Sequence, residues 1–266
     1  MTRSLALLLA PLVAPLAAHA QVSLTYSVAG STDTLPMTCY PAKKGTAPHP
    51  IAVLVHGVDG LGSSSGPQIA AFARQIADAG FVVFVPSYFD RTDGDDTVFT
   101  TGSLAQKKAL FTLRVDRVAT YLPRVQAAIA EARSRKDQNA DPSRLGLVGF
   151  SLGGGLVIES AESAAAPGKP AAVVDFFGYI RDASLYANAK ALPPTMVLHN
   201  NRDLFVKVQF SRDLVTALDT AHITQEHKFF DDGNPEIGFH PFTPGSREDD
   251  ESRSMALRWL TTYLKP

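Results

Sequence analysis

The sequence predicts an α/β domain: a mostly parallel central sheet, helices on both of its faces, and an antiparallel hairpin at its N-terminal edge. Three observations carry this. Short unbroken apolar runs such as Ile51-Ala-Val-Leu-Val55 lack the alternation of a half-exposed strand and suit strands buried on both faces of a parallel sheet. These runs alternate with longer segments of helical periodicity, giving a recurrent strand, helix, strand order. One of them, Leu145-Gly-Leu-Val-Gly-Phe150, passes into a helical pattern through a single residue, Ser151.

The first twenty residues stand apart from the rest. Arg3 precedes an apolar run over 5–16, and Ala18-His19-Ala20 is a small-residue cleavage pattern, so residues 1–20 read as a secretory signal peptide and 21–266 as one domain. The apolar run is shorter than the ~20 residues a membrane span needs. Residues 22–28 and 35–40 follow as two strands joined by the turn-rich Gly30-Ser31-Thr32-Asp33. A polar, proline-containing connection over 41–50 leads to the buried strand 51–55, a helix over 67–79 ended by Gly80, and a second buried strand over 81–85. The polar, acidic stretch 88–101 is expected as a loop at the carboxyl end of that strand.

Ser103 and Gln106 have the spacing of a capping box, which opens a long helix with apolar positions at Leu110, Leu113, Val118, Tyr121, Leu122, Val125 and Ile129. Pro123 is expected to kink or divide it. Asp141-Pro142 closes the loop before the strand over 145–150. A helix over 152–165, strands over 171–177 and 195–199, a helix over 206–218, a strand over 224–230 and a closing helix over 246–264 complete the chain. Ser246 is the expected N-cap of the last helix, and the acidic residues at 248–251 suit its positive end.

Composition narrows the function. A formal charge of −1 gives no footprint for nucleic acid or an anionic membrane, so a small molecule is the expected partner of a monomer. Cys39 is the only cysteine, so an intrachain disulfide cannot form and stability must come from the core; a buried, inert thiol is expected there. Without a second cysteine or a closely spaced histidine pair, no metal or other cofactor is expected. Gly153 to Gly155 lack the G-x-G-x-x-G or G-K-[ST] context of a nucleotide loop. Asp90, Asp93, Asp95 and Asp96 lack EF-hand spacing and read as a solvated loop.

The chemistry centres on Gly149-Phe-Ser151-Leu-Gly153, a nucleophile elbow in which a sharp strand-to-helix turn lifts the serine hydroxyl out of the backbone. Serine is a weak nucleophile at its free pKa and needs a base in reach and a carboxylate to orient that base. In elbow enzymes these follow in the order serine, acid, histidine. His240, in the glycine- and proline-rich segment 233–245, is the expected base, while His199, His222 and His227 read as structural. Asp203, in the turn after the strand 195–199, is the expected acid, with a helix N-cap as its bland alternative; Asp175 is its rival, and Asp231 and Asp232 are weaker ones. The oxyanion of a tetrahedral intermediate would face the backbone N–H groups of Leu152 and Val58. His56 is expected to hold the loop that carries Val58.

These residues resemble the dienelactone hydrolase-like branch of the α/β-hydrolases, through the Gly-Phe-Ser-Leu-Gly-Gly elbow, Asn-Arg-Asp-Leu-Phe-Val around Asp203, and Gly238-Phe239-His240. The resemblance covers nearly all of the mature chain. It implies a triad of Ser151, Asp203 and His240 in an α/β-hydrolase fold without a large cap. The best-known members use a cysteine nucleophile and a glutamate after the first parallel strand; this chain has Ser151, and Asp59 is the carboxylate there. Those members also bind a substrate carboxylate with arginine, for which Arg91 is the nearest candidate by position. Tyr88 joins it as a candidate substrate-binding residue, because the loop 88–101 shapes any pocket over Ser151. The expected activity is therefore hydrolysis of carboxylic esters, with a peptidase, an acyltransferase or a binding protein without turnover as the alternatives.

Overall fold

The structure, a computed structural model, describes residues 21–31, 34–165, 168–180, 184–231 and 246–265. Among them an eight-stranded sheet runs in the order β1-β2-β4-β3-β5-β6-β7-β8. Strands β1 (Val22–Ser27) and β2 (Thr34–Tyr40) form the expected hairpin, and β2 also pairs antiparallel with β4 (Val82–Pro86). The others, β3 (His49–Val55), β5 (Ala140–Phe150), β6 (Ala172–Phe176), β7 (Thr195–Asn200) and β8 (Gln225–Phe230), are parallel to their neighbours.

The apolar runs behave as sheet centres. Ile51 through Val55 are fully buried, with Ile51, Val53 and Val55 packed in one core and Ala52 and Leu54 in the other. The first core takes its helical side from α4 (Val118–Ser134), α5 (Leu152–Ser163) and α7 (Val208–Thr220); the second takes it from α1 (Ser65–Asp78) and α8 (Arg247–Leu264). Two short helices, α2 (Val98–Thr101) and α6 (Ser184–Ala187), lie in connections, and α3 (Leu104–Asp116) packs on α2 and α4. No described helix is long and apolar enough to cross a membrane. Cys39 is buried, and burial pushes its thiol up to about 12, so it is inert as a nucleophile.

Several expectations need correction. The capping box forms with both of its halves, Ser103 to the N–H of Gln106 and Gln106 back to the N–H of Ser103. The long helix, however, divides at Arg117, whose φ of −100° and ψ of 10° are not helical, and Pro123 sits inside α4. Because α4 begins at Val118, Pro123 falls early in it and forfeits only the bond to the Ala119 carbonyl. Asp141-Pro142 is part of β5, which pairs with β3 from His49 and Ala140 onward across a register shift. The stretch 88–101 contains a helical turn and a buried carboxylate, Asp93, and is not simply a solvated loop.

Candidate active site

Strand β5 ends at Phe150 and α5 begins at Leu152, leaving one residue to reverse the chain. Ser151 meets that demand with φ 52° and ψ −117°, a conformation that costs a side-chain-bearing residue about 1–3 kcal/mol. The turn is held from outside: the Ser151 N–H donates to the Phe176 carbonyl at 2.9 Å, and the Ser151 carbonyl accepts from the Tyr179 N–H at 2.9 Å. The elbow glycines are required by contact. A methyl group on Gly149 would sit 2.3 Å from the Gly153 carbonyl oxygen, and one on Gly153 would sit 2.3 Å from that of Val55.

The loop after β3 lies directly against this turn, since a methyl group on Gly57 would be 3.3 Å from the Ser151 Cβ. The direction of the Val58 N–H is set by the far side of the same peptide plane. There the Gly57 carbonyl accepts from His56 Nδ1 at 2.8 Å and from the Gly60 N–H at 3.2 Å, with the Tyr88 hydroxyl at 3.4 Å. In a trans peptide the N–H points opposite its carbonyl, so these contacts aim the Val58 N–H away from the protein interior. Leu152 N–H opens α5 and is one of the donors a helix cannot satisfy itself. Burial pushes the His56 imidazole down to about 4, against the pull of the Gly57 carbonyl and the carboxylates of Asp96 and Asp59. Fully buried and stacked on Tyr88 at 4.1 Å, it holds this loop as a neutral group. Asp59 is occupied nearby, accepting from the hydroxyls of Ser63, at 2.7 Å, and Ser65.

Tyr88, considered above for substrate binding, is fully buried, with its hydroxyl on the His56 carbonyl at 2.9 Å. Its contribution is thus to the Val58 loop. Arg91 is exposed. Sequence reasoning missed a different set of arginines. Arg114, fully buried, donates to the carbonyls of Val58, Asp93 and Gly94 and to Asp96, tying the loop after β3 to the loop after β4. Arg117 and Arg124 both pair with buried Asp93, and Arg124 also with Asp90. Asp90, Asp93 and Asp96 are therefore neutralised by protein cations. The signal for this was the spacing of Arg114, Arg117, Tyr121 and Arg124, which recur every three or four residues.

Asp203 lies in the turn after β7 with its side chain fully buried. Its Oδ1 accepts from the N–H groups of Phe205 at 2.7 Å and Val206 at 2.9 Å, and α7 starts only at Val208, so it is not the helix N-cap. Strands β5 and β7 are separated by β6 alone, which places the ends carrying Ser151 and Asp203 roughly 10 Å apart across the sheet, a gap an imidazole can bridge. His240, together with Asp232, falls in 232–245, outside the described residues. Of the other histidines, His199 is fully buried, whereas His227 is exposed and meets the Gln225 side chain. His222 takes a positive φ of 55° just beyond α7. Asp231, beyond β8, accepts from the Asn201 amide at 2.7 Å.

The rival acid Asp175 points into the core beneath the elbow helix, where a methyl group on Gly154 would touch its Oδ1. Burial raises its carboxyl to about 7; the Gly178 N–H opposes this in part without reaching hydrogen-bond geometry.

An eight-stranded, mostly parallel sheet with a serine on a strained turn between its central strand and the following helix defines an α/β hydrolase. The dienelactone hydrolase family matches residues 37–264, and the chain belongs to that family. Similar solved structures include a dienelactone hydrolase from Anabaena variabilis, 17% identical with a TM-score of 0.65 over 92% of this chain and 98% of that one. A dienelactone hydrolase-like promiscuous phosphotriesterase from metagenomic libraries is 20% identical, with a TM-score of 0.67 over 92% of this chain and 99% of that one. An acylaminoacyl peptidase of Pyrococcus horikoshii is 15% identical, with a TM-score of 0.67 over 94% of this chain but 42% of that one. A search of curated proteins finds no match.

Proposed function

We propose that this chain is an exported serine hydrolase that cleaves carboxylic esters of small molecules through an acyl-enzyme on Ser151. The observation that carries the reading is the Ser151 backbone, held at φ 52° on the turn from β5 into α5 beside the Val58 loop. Such strain persists where a side chain must be presented in one orientation. In the proposed cycle His240 takes the Ser151 proton as Oγ attacks the ester carbonyl, with Asp203 orienting the imidazole. The N–H groups of Val58 and Leu152 receive the oxyanion. Collapse of the tetrahedral intermediate breaks the C–O bond, and the imidazolium gives its proton to the leaving alcohol. Water then attacks the acyl-serine, delivering a proton to His240; as the acyl C–O bond breaks, the imidazolium returns that proton to Ser151 Oγ and the acid departs.

A fluorophosphonate probe tests this: labelling of the wild type but not of Ser151→Ala supports it, and no labelling of either sinks it. The resemblance to an acylaminoacyl peptidase favours one second reading, a peptidase on the same three residues. Matched ester and amide substrates separate the two: turnover of the amide as well as the ester favours the peptidase, and turnover of the ester alone favours the esterase. Export rests on the pattern in residues 1–20. A mature N-terminus near Gln21 in protein recovered from outside the cytoplasm supports it, and protein that keeps Met1 and stays in the cytoplasm refutes it.

A further inference from the structure

We infer that His199 is a positioning residue for the acid Asp203, with Ser211 fixing its tautomer; this rests on Asp203 being the triad acid, as proposed above. His199 stands at the end of β7 with no exposed surface, and both ring nitrogens are engaged. Nε2 lies 3.1 Å from the Val206 carbonyl, which can only accept, so Nε2 carries the hydrogen. The Ser211 hydroxyl of α7 meets Nδ1 at 2.7 Å, and in the tautomer with hydrogen on Nε2 it is the donor of that bond. The ring's orientation is set from both sides.

Its consequence is felt at Asp203 in two ways. The residue it holds by the carbonyl, Val206, donates its own N–H to Asp203 Oδ1 at 2.9 Å. The Nε2–H group itself lies 3.3 Å from Asp203 Oδ2. His199 therefore braces the 203–206 turn and sets a positive dipole end beside a buried carboxylate, which lowers the basicity of that carboxylate. Among the described residues, the charged groups on the neighbouring elements other than Asp175 have other partners or are exposed. Arg212 of α7 and Asp231 beyond β8 both bind the Asn201 side chain. Asp175 of β6 pairs in register with Val197, two residues before His199, and Arg202 and Lys207 are exposed on the turn. A less basic Asp203 holds less of the imidazolium's charge, so the base becomes active at lower pH.

The test is the pH dependence of kcat/KM, with kcat and KM separately, for a small ester between about pH 5 and 9. Four variants are compared: His199→Phe, His199→Asn, His199→Gln and Asp203→Asn. His199→Phe and His199→Asn, neither of which can reach the Val206 carbonyl, should lower kcat about tenfold with KM little changed. They should also raise the acidic limb by roughly half a unit to one unit. His199→Gln, whose longer amide can replace the Nε2–H, should restore the limb and most of kcat. Wild-type limbs in both His199→Phe and His199→Asn, or lost kcat without a moved limb, would overturn the inference. If His199→Phe does not fold, the contrast between Asn and Gln decides in the same way. Wild-type activity in Asp203→Asn would instead remove the acid assignment beneath it, so the two failures are told apart.

Discussion

Asp175→Asn separates a buried carboxyl from a catalytic one and carries a magnitude that can be worked out. In the folded chain the Asp175 carboxyl is raised from 3.8 to about 7, chiefly by burial. Below about pH 4 it is protonated whether the chain is folded or not, and its linkage contribution is fully present. As pH rises from 4 to 7 the unfolded chain releases this proton while the folded chain keeps it, so stability falls; above 7 both forms are ionised and the slope vanishes. A gap of about three pKa units corresponds to a loss on the order of 4 kcal/mol. Asparagine keeps the shape and does not titrate. Urea unfolding of both proteins from about pH 4 to 8 should show the wild type losing stability relative to Asp175→Asn up to pH 7, and no further divergence beyond it. Activity of the variant should stay close to wild type. A flat difference across that range would refute the burial argument, and loss of activity by several orders of magnitude would make Asp175 the triad acid.

The remaining predictions concern the rim. Asp203→Asn should lower kcat about 10³- to 10⁴-fold with an unchanged fold by circular dichroism, because the imidazole loses its orienting carboxylate. Tyr88→Phe removes the hydroxyl that holds the His56 and Gly57 carbonyls; steady-state kinetics should show kcat down roughly tenfold with KM nearly constant. Ser151→Gly and Ser151→Ala should both be inactive. The glycine variant should nevertheless be more stable to urea by about 1 kcal/mol, since glycine accepts φ 52° without strain.

Much of this was legible in the sequence, and for identifiable reasons. The runs at 51–55 and 145–150 announce themselves because strands covered on both faces have no polar side to interrupt them. The elbow was readable because its glycines are fixed by contacts within a few residues and with the neighbouring strand end. Asp203 could be placed because the turn that holds it is local, closed by N–H groups two and three residues on. What escaped was long-range. Nothing in the order of residues shows that the face bearing Arg114, Arg117 and Arg124 meets the acidic stretch 90–96, or that Arg114 reaches the Val58 carbonyl 56 positions away. The break at Arg117 belongs with these contacts. Pro123 suggested a break, but the off-helix residue is the one that reaches Thr92 and Asp93.

The most direct test of the account is to trap the reaction halfway. An activated ester is mixed with the protein and quenched in acid during turnover, and the protein is weighed intact and then mapped by peptide. The account predicts a mass increase of one acyl group, confined to the peptide containing Ser151 and absent from Ser151→Ala. Undiminished ester hydrolysis by Ser151→Ala, or an acyl group on another residue, would contradict it.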